Sequence, residues 1–238
     1  MECPVCLVED CDKMKSACGH ELCNFCFLKI REEGAARCPI CRSDFNDTVR
    51  KNRLSAEGGD ADAMFNMGLF YRKGKGVPIN ESTSVEWYMK SADSGQVKAM
   101  FVLGNMYRNG SCGLDEDWNK AALWYLRAAE KGSIKAASNL GALYLSQSVI
   151  TEEERALAVK WTLIAAEARF PEAMYNIAKM YKAGVCVEQN FDTAVSWFRL
   201  GVEDGYKNAI KELAQMYSVG LGVEKNMALA EELMSRAS

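Results

Sequence analysis

The stretch Ala63-Met64-Phe65-Asn66-Met67-Gly68-Leu69-Phe70-Tyr71-Arg72-Lys73-Gly74-Lys75-Gly76-Val77 decides the fold, because its pattern keeps returning. Alanines 63, 99, 136, 173 and 209 open successive units, stepping by 36 or 37 residues, and a tyrosine follows each at 71, 107, 144, 181 and 217. Between them stand Met67-Gly68, Leu103-Gly104, Leu140-Gly141, Ile177-Ala178 and Leu213-Ala214. A second segment of each unit centres on Trp87, Trp124, Trp161, Trp197 and Leu233, with Ser91, Ala128, Ala165, Gly201 and Ala237 four positions on. Apolar positions three and four apart predict an amphipathic helix for both segments. Asn80, Asp117, Asn190 and Asn226 stand where the second helix needs an N-cap, and Thr151 with Glu154 spells a capping box in the third unit. Small residues at fixed steps let the two helices of a pair approach closely, while Tyr and Trp fill the space between pairs.

Working outward, Asp44-Phe45-Asn46-Asp47-Thr48-Val49 parallels Asn190-Phe191-Asp192-Thr193-Ala194-Val195, and Leu54, Glu57 and Gly59 go on to match Leu200, Glu203 and Gly205. Residues 44–58 are therefore expected to form the second helix of a unit whose first helix is missing, with Phe45, Val49 and Leu54 buried against the first full unit. They lack the Pro, Gly and Ser of a flexible tether. The last helix finishes as the sequence stops at Ser238, which predicts a partly exposed apolar face or pairing with another copy.

Ahead of this segment the residue types change. Eight of ten cysteines fall in the first 41 residues, ordered Cys3-x2-Cys6, Cys18-Gly19-His20, Cys23-x2-Cys26 and Cys38-x2-Cys41, with Cys11 outside the pairs. Four ligand pairs supply eight donors, which suits two tetrahedral, structural zinc ions with no position open for a catalytic water. About 45 residues cannot bury enough apolar surface to fold alone, so metal has to supply the deficit. The chain has one histidine in 238 residues, so if His20 binds zinc no Ser-His-Asp triad or Cys-His pair can be built. Cys112 and Cys186 fall in turns and are expected to be free thiols.

The net charge of −3 argues against gripping nucleic acid, which favours a basic excess. No run of about 18 apolar residues is present to span a membrane. Met1-Glu2-Cys3-Pro4 has neither a basic start nor an apolar stretch, which predicts no signal peptide and a reducing, cytoplasmic or nuclear location. Gly74-Lys75-Gly76 lacks phosphate-loop spacing and is a turn.

The ligand order, three cysteines, one histidine and four cysteines, resembles the RING finger of the C3HC4 type. The resemblance implies a cross-brace: Cys3, Cys6, Cys23 and Cys26 on one zinc, and Cys18, His20, Cys38 and Cys41 on the other. It further implies a partner, a ubiquitin-conjugating enzyme charged with ubiquitin, contacted by Val5, Ile30 and Pro39. Ile30 stands where many members have Trp, a departure that weakens the contact. Arg42 matches the position whose guanidinium bridges conjugating enzyme and ubiquitin, a task suited to a planar charged fork.

Gly74-Lys75-Gly76-Val77 and Gly220-Leu221-Gly222-Val223, with the later Trp-Tyr and Ala-Ala pairs, look like the Sel1-like repeat family, related to the tetratricopeptide repeat. That resemblance implies an all-α, right-handed solenoid of helix pairs that binds protein. The organisation expected is a RING finger at 1–43, a capping helix at 44–58 and five repeats at about 61–98, 99–135, 136–172, 173–208 and 209–238. Alignment with the tetratricopeptide pattern puts Phe65, Phe101 and Tyr175, Asn66, Asn139 and Asn176, and Arg72, Arg108 and Lys182 on a candidate peptide groove. Amides there suit a peptide backbone, and the cations suit a carboxylate. The function expected is a ubiquitin-protein ligase whose solenoid selects a protein substrate; the alternative is a non-catalytic, zinc-containing scaffold.

Overall fold

The computed structural model describes residues 13–15, 21–23, 45–146 and 151–237, with side chains at 48–146 and 151–237. It divides into two compact units, Met1–Asp117 and Trp118–Ser238. Among the described residues, one two-stranded hairpin is followed by helices alone.

In the first unit, β1 (Lys13–Lys15) pairs antiparallel with β2 (Glu21–Cys23), Lys13 lying opposite Cys23 and Lys15 opposite Glu21. The helices are α1 (Phe45–Glu57), α2 (Ala61–Lys73), α3 (Glu81–Asp93) and α4 (Val97–Asn109). Asp60 starts α2: its carboxylate accepts from the backbone N–H of Asp62 and Ala63 at 2.9 and 3.2 Å and from Ser55 Oγ at 2.8 Å. Those bonds, the Ser55 hydroxyl first, hold the Asp60 carboxyl below its ordinary pKa. Gly74 ends α2 at φ 64°, a left-handed turn that glycine adopts without strain. Asn80 then caps α3 by accepting from the Thr83 N–H at 2.9 Å.

Helices α2 and α3 meet through small residues. A Cβ on Gly68 would stand 2.8 Å from the Tyr88 ring, so the glycine makes room for a fully buried aromatic. The buried hydroxyls of Ser84 and Ser91 donate to the carbonyls of Gly68 and Ala61, both at 2.7 Å, which leaves neither hydroxyl unsatisfied.

The second unit runs α5 (Trp118–Glu130), α6 (Ile134–Leu145), α7 (Glu152–Glu167), α8 (Pro171–Ala183), α9 (Phe191–Glu203), α10 (Lys207–Val219) and α11 (Met227–Ala237), each packed on its sequence neighbours. Asn190 and Asn226 cap α9 and α11 through the N–H groups of Thr193 and Leu229, at 2.9 and 3.0 Å. Thr151 and Glu154 close both bonds of the capping box that starts α7. Ala178, Ala194, Phe198, Ala209, Leu213 and Met216 belong to one hydrophobic core cluster here.

One expectation needs correction. Leu54 is 60% exposed, and among the described side chains of α1 the buried ones are Val49 and Ala56; the side chain of Phe45 lies outside the described residues. At 100° per residue Leu54 lies about 140° round the helix from Val49, so the two cannot share a buried stripe. The deepest aromatic position is not the repeated Trp but the residue after it. Tyr88, Tyr125 and Phe198 are fully buried, whereas Trp87, Trp124 and Trp197 are partly buried; in the third repeat, where Thr162 follows it, Trp161 is buried at 7% exposure. Lys90 and Arg127 lie over the rings of Trp87 and Trp124 at 4.7 and 4.9 Å.

The third repeat departs from this scheme. In the first and fourth repeats an aromatic pair joins the two helices, Phe65 with Tyr88 at 5.4 Å and Tyr175 with Phe198 at 6.0 Å between ring centres. In the third repeat the same two positions hold Ser138 and Thr162, both buried. Smaller side chains let α6 and α7 close in until their backbones nearly touch at Gly141. No helix among the described residues is long and apolar enough to cross a membrane.

Candidate functional site

Two sets of residues carry the candidate chemistry. Of the first set, Cys3, Cys6, Cys18, His20, Cys26, Cys38 and Cys41 lie outside the described residues, as do Val5, Ile30, Pro39 and Arg42; Cys23 ends β2. The donor set itself fits zinc: seven thiols and an imidazole are ligands this ion prefers. The hairpin fits as well. Its returning strand carries Cys23, opposite Lys13. Among the described residues no other group of three or more His, Cys, Asp or Glu is placed to hold a metal.

The second set lies on the first helices of the repeats. Phe65 is half-buried against Tyr88, and Asn66 donates to Asn52 Oδ1 on α1 at 3.2 Å. Arg72 is half-buried, Phe101 likewise, and Arg108 is exposed with its Nε on the side chain of Asn109 at 3.2 Å. Asn139 on α6 and Asn176 on α8 are half-buried. Tyr175 packs on Tyr206 at 5.6 Å as well as on Phe198, and Lys179 lies over its ring at 5.5 Å. Burial first, and then the neighbouring Glu212 carboxylate, pushes the Tyr175 phenol up, so it stays a proton donor at neutral pH. Lys182 holds Glu212 at 2.8 Å and reaches Gln215 at 3.5 Å. A ligand carboxylate at Lys182 therefore has to compete with Glu212. Sequence reasoning missed that pairing, since it joins positions 30 residues apart on α8 and α10.

Cys112 and Cys186 occupy the turn position that other repeats give to Gly76 and Gly222. All four share a left-handed backbone, at φ 59°, 60°, 71° and 63° in that order. Burial pushes both thiols up, with Glu81 adding to it at Cys112 and Glu152 at Cys186, while Arg72 and Arg155 oppose. Both therefore stay thiols at neutral pH, which makes them slow nucleophiles. The left-handed backbone costs a residue with a Cβ about 1 kcal/mol, partly offset because Gly has more freedom to lose on folding. Cys186→Gly is expected to raise the melting temperature by about 1–2 °C, roughly 0.5 kcal/mol in a unit of this size. A fall in the thermal scan would mean that burial of the thiol outweighs the strain.

Helices α10 and α11 leave an open groove of about 460 Å³ floored by Ala214, Met227, Ala230 and Met234. Met234 is 49% exposed, while Phe198, its equivalent one repeat earlier, lies fully buried.

Residues 3–41 match the zinc finger of C3HC4 type (RING finger), and residues 61–96, 97–133, 134–170, 171–206 and 208–238 each match the Sel1 repeat. Over 50 residues, 21% of this chain, the sequence is 40% identical to E3 ubiquitin-protein ligase NEURL1B of Mus musculus, covering 9% of that protein. Among solved structures, c5321, a protective antigen of uropathogenic Escherichia coli strains displaying an SLR fold, is similar at TM-score 0.69 and 28% identity, over 82% of this chain and 44% of that one. A Sel1 repeat protein from Oxalobacter formigenes is similar at TM-score 0.67 and 31% identity, over 81% of this chain and 55% of that one. The chain thus spans about half the length of these solved relatives and under a tenth of the ligase. With repeats matched over most of its length, the chain belongs to the Sel1 repeat family and carries a C3HC4 RING finger ahead of an all-helical Sel1 solenoid.

Proposed function

We propose that the chain is a RING-type ubiquitin-protein ligase whose zinc finger recruits a ubiquitin-conjugating enzyme and whose solenoid holds a protein substrate. The observation that carries this reading is the C3HC4 match at residues 3–41, supported by the likeness to NEURL1B. In such a reaction the substrate amine attacks the thioester on the conjugating enzyme, and the enzyme's cysteine leaves as a thiol. No bond forms to this chain, so a single, zinc-bound histidine is no obstacle.

Each residue then has one task. Two structural zinc ions, on Cys3, Cys6, Cys23 and Cys26 and on Cys18, His20, Cys38 and Cys41, hold the two loops of the finger. Val5, Ile30 and Pro39 give the conjugating enzyme an apolar seat. Arg42 bonds carbonyls of both conjugating enzyme and ubiquitin and favours the closed, reactive complex. Substrate contacts come from Phe65, Asn66, Arg72, Phe101 and Arg108 on the first unit, and from Asn139, Tyr175, Asn176 and Lys182 on the second, each set taken by itself.

The test is ubiquitin discharge across a panel of conjugating enzymes. Val5→Ala is expected to weaken binding of the conjugating enzyme, because an apolar contact exists in the ground state. Arg42→Ala is expected to leave binding nearly intact and to slow discharge about tenfold, about 1.4 kcal/mol, because its bridge acts on the closed complex alone. If the wild-type chain discharges ubiquitin no faster than buffer with every enzyme tried, the reading fails and the zinc finger is a scaffold module.

A further inference from the structure

Helix α1 stands where a repeat's second helix would stand, and the match extends to single bonds. Arg53 donates to the Tyr71 hydroxyl at 2.8 Å, and in the fourth and fifth repeats Arg199 donates to the Tyr217 hydroxyl at 2.8 Å, with the same eighteen-residue separation. The turn that follows is the same in both places. Gly58, Gly59 and Asp60 donate to the carbonyls of Leu54, Ala56 and Ser55 at 3.0–3.1 Å; Asp204, Gly205 and Tyr206 donate to those of Leu200, Val202 and Gly201 at 2.9–3.2 Å. Val49 and Ala56, 5% and 2% exposed, share one apolar cluster with Ala63, Met67 and Phe70 of α2. Asn52 holds Asn66, a residue of the candidate groove, so α1 and that groove are joined directly. This helix is part of the solenoid's packing and not a tether.

The matched zinc finger ends at Cys41 and α1 begins at Phe45, which leaves three residues between them. Fully extended, that connection reaches at most about 14 Å. A flexible linker of dozens of residues would let a finger sample a wide volume; this one cannot.

Resting on the ubiquitin-ligase reading, we propose that α1 acts as a short rigid arm that fixes the zinc finger beside the α2–α4 groove and so limits which lysines receive ubiquitin. Val49, Asn52, Arg53 and Ala56 then determine specificity without touching the reacting atoms. The conjugating enzyme, seated on a finger held in one place, presents its thioester to one zone, and a lysine outside that zone is spared however tightly the substrate binds. The geometric restriction acts like an effective-concentration term set by the joint.

The experiment uses the full zinc-loaded chain and a variant with a twelve-residue Gly/Ser insertion between Ser43 and Asp44, which keeps Asp44 next to Phe45 at the start of α1. Three quantities are read: discharge of ubiquitin to free lysine, the lysines of this chain modified in self-ubiquitination, and backbone 15N relaxation of residues 1–41 against 61–117. In the wild type both segments are expected to tumble with one correlation time, and the insertion should shorten that of the finger at least twofold. Discharge to free lysine should stay within twofold while the set of modified lysines grows. An unchanged lysine set with unchanged discharge overturns the proposal, as does independent tumbling of the wild-type finger. Absence of discharge to free lysine in the wild type would instead sink the ligase reading and lysine selection with it; relaxation would still decide whether the arm is rigid.

Discussion

Gly141→Ala is expected to lower the melting temperature of the second unit by roughly 5–10 °C, a loss of about 2–3 kcal/mol. The reason lies in what surrounds the missing Cβ. It would meet the Thr162 hydroxyl at far less than contact distance, with the Thr162 backbone nitrogen at 3.1 Å and the Ala158 carbonyl oxygen at 3.2 Å behind it. Two of those neighbours are backbone of α7, which gives way only if the whole helix shifts. The equivalent position already holds Ala178 in the fourth repeat and Ala214 in the fifth, so an alanine is not foreign to the family pattern. What forbids it here is the close approach that Ser138 and Thr162 allow. The hydroxyl of Thr162 is buried with no hydrogen-bond partner, so removing it is cheap in lost bonds. Thr162→Ala should therefore recover about 1 kcal/mol of the Gly141→Ala loss, a coupling that a double-mutant cycle in thermal or chemical unfolding reads directly. Strict additivity of the two changes would show that the clash lies elsewhere.

The same repeat shows what was legible in the sequence. A periodicity of small and aromatic residues specifies helix pairs because each position has one local job. Asn80, Asn190, Asn226 and the Thr151–Glu154 box could be read as caps since a cap acts on N–H groups two or three residues away. The half-repeat at α1 was legible for a like reason: Asp44 to Gly59 agrees with Asn190 to Gly205 at Phe45, Val49, Arg53, Leu54, Glu57 and Gly59, spaced through the whole segment. Features that depend on how one helix meets the next were not legible. Leu54 was placed inside by analogy with Leu200, yet Leu200 is itself only half-buried and Leu54 lies off the contact stripe. Burial of Tyr88, Tyr125 and Phe198, the residues after the repeated Trp, contributes roughly 1.5–3 kcal/mol each and depends on the facing helix. Lys182 was read as a free cation because nothing in its own repeat reveals Glu212, 30 residues away. For the zinc finger the position is reversed. Its family is legible because the order of three cysteines, one histidine and four cysteines is a local pattern, and residues 3–41 match the C3HC4 finger, while its ligands other than Cys23 lie outside the described residues.

Removing zinc is expected to unfold residues 1–43 and to leave the helices, α1 included, in place. The expectation follows from where each part gets its stability. The finger is too short for a core of its own, and structural zinc contributes on the order of 10–16 kcal/mol of apparent folding free energy in small finger peptides at neutral pH. The helices draw on burial instead: Val49, Ala56, Met67 and Phe70 close the apolar cluster of the first unit without a metal ligand among them. Circular dichroism at 222 nm should therefore keep most of its amplitude when a strong chelator is added, while two equivalents of zinc are released. Hydrogen exchange sharpens the test, because it locates the boundary. Amides donating within and after α1, such as Gly58 to Leu54 and Asp60 to Ser55, should keep their protection, and loss of protection should stop near residue 44. If protection vanishes through residue 60, α1 depends on the finger and not on α2, and the rigid-arm proposal loses its footing. Release of one zinc per chain would break the eight-ligand assignment, and collapse of the helical signal would mean that the repeats borrow their stability from the metal.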